Sequence, residues 1–155
     1  VSSWSKLLAL SAREKSLLVQ SLFALPLNGL ALHLMGLNRW RELLSRLGPI
    51  NQVGAKALPE SLLDQAHETA RAVGIAASRG PYRGNCLQES LTIWWLLHRQ
   101  KIESDIRFGA RMENGRFEAH AWVEFRGVAL NEGPNLCNSF APFEHAMTTA
   151  EVATR

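Results

Sequence analysis

Two side chains here have the type and setting for covalent chemistry. Cys86 lies in Arg83-Gly84-Asn85-Cys86-Leu87-Gln88-Glu89-Ser90, and His120 lies in Phe117-Glu118-Ala119-His120-Ala121-Trp122-Val123-Glu124-Phe125. A thiolate attacks carbonyl carbon readily, and an imidazole within reach takes the thiol proton and later hands it to the leaving group. The setting of the thiol supports this. Asn85 is predicted to be a helix N-cap, with Gln88 completing a capping box three residues on, and the apolar-rich run Leu91 to Leu97 follows. Cys86 therefore falls in the first turn of a largely buried helix, where backbone N–H groups are unpaired and the dipole favours negative charge. A cationic neighbour strengthens that effect, and His120 is the candidate. The pairing requires sulfur and imidazole, thirty-four positions apart in the chain, to meet on folding.

The element that positions His120 reads as β. Asp105 to Met112 alternates Ile106, Phe108, Ala110 and Met112 against Arg107, Gly109 and Arg111, and Asn114-Gly115 is a two-residue hairpin signal. That turn sets Met112 opposite Phe117 and Gly109 opposite His120. Phe117, Ala119, Ala121 and Val123 then share one face, while His120, Trp122 and Glu124 share the other. Gly109 has no side chain, which predicts open room beside the imidazole. Trp122 is placed either to shield the pair from water or to brace the sheet, and bracing is preferred.

A Cys-His pair needs a third polar group to orient the ring and stabilise its charged form. Asn131 and Glu132 compete. A two-residue turn at Arg126-Gly127 sets Trp122 against Asn131 and puts Asn131 on the face of His120, whereas a bulged three-residue loop pairs His120 with Glu132. Geometry leaves both open. For an oxyanion, the backbone N–H of Cys86 is the obvious donor, with Asn85, Arg83 or Tyr82 as possible side-chain donors. Cys137 and His145 have no spacing that supports a metal site, and neither a metal nor a cofactor is expected.

The N-terminal part reads as helical. Ser11-Ala12-Arg13-Glu14 repeats the capping-box pattern ahead of Leu17, Leu18, Leu22 and Phe23, and Pro26 is expected to end or kink that helix. A second helix is predicted over about 27–47, stopped by Gly48-Pro49. Both are very apolar, which implies packing onto the rest of the chain or a docking face for a partner protein. Ile50 to Leu58 is a loop and a subdomain boundary, dividing a helical segment (1–49) from the main domain (50–155). Pro59 opens a third helix reaching about Ala77. After Gly133-Pro134 little pattern remains, with Phe140 and Phe143 expected to anchor the tail and the end, from Met147, expected to fray. The elements together predict an α+β fold, with the cysteine helix packed on a small antiparallel sheet.

Composition narrows the function. The chain has 155 residues and a net charge of +3 with scattered arginines, so it lacks the clustered basic stripe of a nucleic-acid-binding protein. Two cysteines make no disulfide framework, which favours a reducing compartment. The first residues show no positive n-region ahead of a cleavable apolar core, so no signal peptide is expected. The most lipid-like run, Leu22 to Leu37, is read as buried helix, with peripheral membrane contact left open.

Asn85-Cys86-Leu87-Gln88-Glu89-Ser90, Ile106-Arg107-Phe108-Gly109 and Ala119-His120-Ala121-Trp122-Val123-Glu124 with Gly127 together resemble the cysteine leader peptidases of lasso-peptide biosynthesis. These are the microcin-J25-processing type, within the wider transglutaminase-like and papain-like group. The resemblance covers roughly residues 66–143 and extends loosely to the leucine-rich N-terminal helices. It implies a papain/transglutaminase-like core in which Cys86 is the nucleophile and His120 the base and then the acid. The family's third residue is an aspartate twelve positions after the histidine, which here is Glu132. The longer arm must fold differently to reach the ring, which keeps Asn131 as a substitute; Glu132 is the chosen residue. The resemblance further implies hydrolysis of one peptide bond in a ribosomally made precursor, in the cytoplasm. The implied partners are a leader-recognition protein and an ATP-dependent lasso cyclase. The region before Leu58 shows helices rather than the alternating strands of a leader-recognition module, so a separate one is expected.

Two other readings compete. One is a catalytically silent transglutaminase-like module that binds a peptide or scaffolds an assembly, with Cys86 a buried thiol and His120 a satisfied core histidine. The other is an acyltransferase that uses the same pair to pass the acyl group to an amine.

Overall fold

The computed structural model describes residues 11–47, 59–133, 135, 138–143 and 147–148. Ser11 caps the first helix, α1 (Ala12–Met35), through a complete capping box with Glu14. Glu14 is further held by the Arg71 guanidinium. Pro26 does not end α1: the helix runs through it to Met35. Leu25, Asn28 and Ala31 are buried on either side of Pro26, and their packing outweighs the ~3 kcal/mol that an interior proline costs. The break falls at Gly36 instead. Its φ of +76° suits a residue without a Cβ, and its N–H closes α1 on the Leu32 carbonyl at 3.1 Å. Helix α2 (Leu37–Arg46) starts there. Helices α3 (Pro59–Arg79) and α4 (Cys86–Arg99) follow.

α1 packs chiefly on α3, then on α4 and α2. Leu25, Ala31, Trp40 and Leu44 join Leu91, Ile93, Trp94, Ile106 and Val123 in one hydrophobic cluster. The N-terminal helices and the cysteine helix therefore share a core. A buried polar chain also links them. Trp40 Nε1 donates to Asn28 Oδ1 at 2.7 Å, Asn28 Nδ2 donates to Thr92 Oγ1 at 2.7 Å, and Thr92 Oγ1 donates to the Gln88 carbonyl at 2.7 Å.

The opposite side of α1 is apolar too. Val19, Phe23, Leu27, Leu30 and Leu34 are exposed, and their spacing puts them on one arc of the helix. Among the described residues, α1 is the helix long and apolar enough to cross a membrane by length and composition, with 33% of its most apolar window buried inside the protein.

Strands β1 (Asp105–Glu113) and β2 (Arg116–Phe125) form the predicted hairpin. Asn114 and Gly115 take φ values of +51° and +75°, as a primed two-residue turn requires. The register is as expected, with Met112 opposite Phe117 and Gly109 opposite His120. β3 (Val128–Ala129) pairs with β2. The tail is more regular than its sequence suggests: β4 (Ala141–Pro142) and β5 (Met147–Thr148) both pair with β1. The sheet order is β3-β2-β1-β4, all antiparallel, with β5 also on β1. Helix α4 covers one face of it, burying Ile106, Ala121 and Val123.

Candidate active site

Cys86 is the first residue of α4, a free and half-buried thiol. Asn85 precedes it in extended conformation, and its Oδ1 accepts from Gln88 N at 3.0 Å. Gln88 Oε1 accepts in return from Asn85 N at 3.1 Å and from the Tyr82 hydroxyl at 3.2 Å. The one hydroxyl proton of Tyr82 is thus committed to the cap rather than to an oxyanion. The side-chain oxygen of Asn85 is taken up by the cap as an acceptor. The Tyr82 hydroxyl also rests against Gly29 of α1, where a Cβ would fall 2.1 Å from it. α1 therefore buttresses the cap that orients the thiol helix.

His120 lies on β2 with its side chain largely sheltered, 15% exposed. Its Nε2 is 3.1 Å from Glu132 Oε1. A carboxylate oxygen accepts, so Nε2 carries a proton, and in the neutral ring Nδ1 holds the lone pair. Asn131 does not reach the ring. Its Oδ1 accepts from Val123 N at 2.9 Å, and its Nδ2 lies 3.5 Å from Ser90 Oγ.

The Arg126-Gly127 turn is the two-residue form, with Glu124 opposite Ala129 and Phe125 opposite Val128. Strand geometry extended from that turn puts Asn131, not Glu132, on the face of His120. The extension fails because regular pairing stops at the Leu130 N–H to Val123 carbonyl bond. Beyond it the chain bends, the Asn131 side chain takes over the next β2 N–H, and Glu132 swings to the imidazole.

The room predicted beside His120 is filled. A Cβ on Gly109 would lie 2.7 Å from the Phe140 Cβ and 3.1 Å from the Trp122 ring. Phe140 stacks on His120 at 5.2 Å between centroids, and Trp122 lies on it at 6.2 Å. Trp122 Nε1 donates to Glu124 Oε1 at 2.8 Å, so the tryptophan braces and shields together.

One hydrogen bond ties the thiol helix to the strand that carries His120. Ser90 Oγ donates to the carbonyl of Ala121, the residue after His120, at 3.0 Å. Ser90 is one helical turn from Cys86, about 6 Å along the axis. Glu89 lies within electrostatic range of Glu132: burial raises its carboxyl above the ordinary range, and the Glu132 charge pushes the same way. The sequence alone gives no role to Ser90 or Glu89. Position supplied the available signal, since both lie within one turn of Cys86 on a helix whose other face is core. Arg83 is exposed beside the cap. Cys137 and His145 lie outside the described residues. Among the described residues no cluster of three or more histidine, cysteine or acidic side chains is placed to hold a metal ion.

An N-capped cysteine helix laid on an antiparallel sheet that carries an imidazole–carboxylate pair defines a transglutaminase-like core. The chain belongs to the transglutaminase-like superfamily, whose family model matches residues 30–145. That span begins inside α1 and includes Cys86, His120 and Glu132. The fold typically serves cysteine peptidases and acyltransferases. No curated protein and no solved structure matches the chain.

Proposed function

We propose that this protein is a cysteine endopeptidase that removes the leader from a ribosomally made lasso-peptide precursor. The observation that carries the catalytic part is the His120–Glu132 bond beside a helix headed by a free cysteine. The substrate class rests on the motif resemblance. In this reading Nδ1 of His120 takes the Cys86 proton as sulfur attacks the scissile carbonyl carbon. The backbone N–H of Cys86, unpaired in the first turn of α4, donates to the oxyanion. The imidazolium then protonates the departing amine, leaving a thioester on Cys86. Water attacks the thioester and gives a proton to Nδ1, and the thiol is restored. Glu132 holds the ring and balances its charge throughout. On the same reading, a separate leader-recognition protein delivers the precursor and an ATP-dependent cyclase uses the freed amine, all in the cytoplasm.

The test is cleavage of a lasso precursor in the presence of its leader-binding protein, followed by mass spectrometry. One cut between leader and core is expected. Cys86→Ala and His120→Ala should abolish it, and Glu132→Ala should lower kcat by about 10²–10⁴-fold, the range for losing acid–base support. Cys86→Ala cutting at the wild-type rate would refute the reading. An added amine appearing on the product would move the assignment to acyl transfer.

A further inference from the structure

The ring stack around His120 extends beyond the two residues that touch it. Arg111 lies with its guanidinium carbon 4.6 Å over the Phe140 ring. It is itself held by Glu118 at 2.8 Å and by Ser139 at 3.1 Å. Trp122 is pinned through Glu124, whose second oxygen accepts from Arg107 Nε at 3.0 Å. Phe140 and Trp122 thus both pack on His120 and on each other, Phe140 held by the Arg111 guanidinium and Trp122 by its hydrogen bond to Glu124. Phe140 is delivered by the tail: β4 pairs with Gly109 and Ala110, and Phe143 N donates to the Phe108 carbonyl at 2.9 Å. It is 6% exposed and forms with Trp122 a small apolar cluster apart from the main core.

We infer that Phe140 is a positioning residue for catalysis, one wall of an aromatic clamp that fixes the plane of His120. This rests on His120 being the base of the proposed reaction. One hydrogen bond from Nε2 to Glu132 leaves the imidazole free to swing about that bond. Two flat apolar faces remove the swing, so Nδ1 keeps one direction. Gly109 is the condition for this arrangement, because any side chain there would displace the Phe140 backbone or tilt Trp122.

The test uses the full chain and two readouts that need no peptide substrate. The rate of Cys86 alkylation by iodoacetamide near neutral pH reports the thiolate and the imidazole that activates it, with the helix N-terminus unchanged between variants. The NMR signals of the His120 ring protons carry the ring-current shift of a stacked phenyl group. Phe140→Leu keeps an apolar side chain but removes the face. It should move the His120 signals, slow Cys86 alkylation, and lower kcat by about tenfold to a hundredfold at little-changed KM. Phe140→Tyr should restore all three, and Gly109→Ala should mimic the leucine variant. Unmoved His120 signals in Phe140→Leu, or unchanged alkylation despite moved signals, would overturn the inference. A wild-type protein that alkylates slowly at Cys86 and cuts no precursor would sink the peptidase reading instead, while the His120 signals would still report whether the clamp exists.

Discussion

Glu89 follows Cys86 by three positions on α4, half-buried and within reach of the Glu132 charge. Burial comes first and Glu132 second in holding its proton more tightly than the ordinary value of 4.5. A carboxyl whose folded value lies above its unfolded value favours the folded state below the unfolded value. That contribution is lost as pH rises through the folded value. Removing the charge should therefore help at neutral pH and not in acid. Glu89→Gln is expected to unfold at higher urea concentration than wild type at about pH 7, and at the same concentration near pH 4. Equal midpoints at both would show that the carboxyl is better solvated than its surroundings imply. The same residue illustrates what a sequence conceals. Its nearness to Glu132 arises from a bend after Leu130, forty-one positions away, that no periodicity encodes.

At the scale of elements, α4 depends on α1 through the Trp40–Asn28–Thr92 chain. Asn28→Ala leaves the buried Trp40 N–H without its acceptor, and should cost about 1–3 kcal/mol, read as a fall in urea midpoint. Phe23→Ala, exposed on the far side of the same helix, is the control that should cost far less. The elements legible in the sequence were those whose rules are local. Asn114-Gly115 set the hairpin and hence the Gly109–His120 register, and Asn85 with Gln88 set the start of the cysteine helix. The elements that misled are settled by distant packing. Pro26 is tolerated because core contacts on both sides hold its helix, and Gly36, which carries no such contacts, is where the chain turns. β4 and β5 are two residues each, too short for alternation to show. For that reason the sequence marks Phe140 only as a tail anchor and makes its seat over Gly109 look empty.

At the scale of the whole molecule, the family match from residue 30 starts within α1, and the core joins that helix to the rest without a seam. The outer arc of α1 has a practical consequence. Phe23 is 75% exposed and Leu34 is 70% exposed, with Val19, Leu27 and Leu30 between and beside them, so a continuous greasy ridge meets water. Patches of this kind promote sticking between molecules. Light scattering on the purified chain should show particle size growing with concentration. Replacing Phe23, Leu30 and Leu34 with glutamine should flatten that growth while leaving the melting temperature within a few degrees of wild type. Dilution, salt and mild detergent then become variables that every rate measurement on this protein must hold fixed. A turnover number that drifts with enzyme concentration would trace to that ridge before it traced to the chemistry.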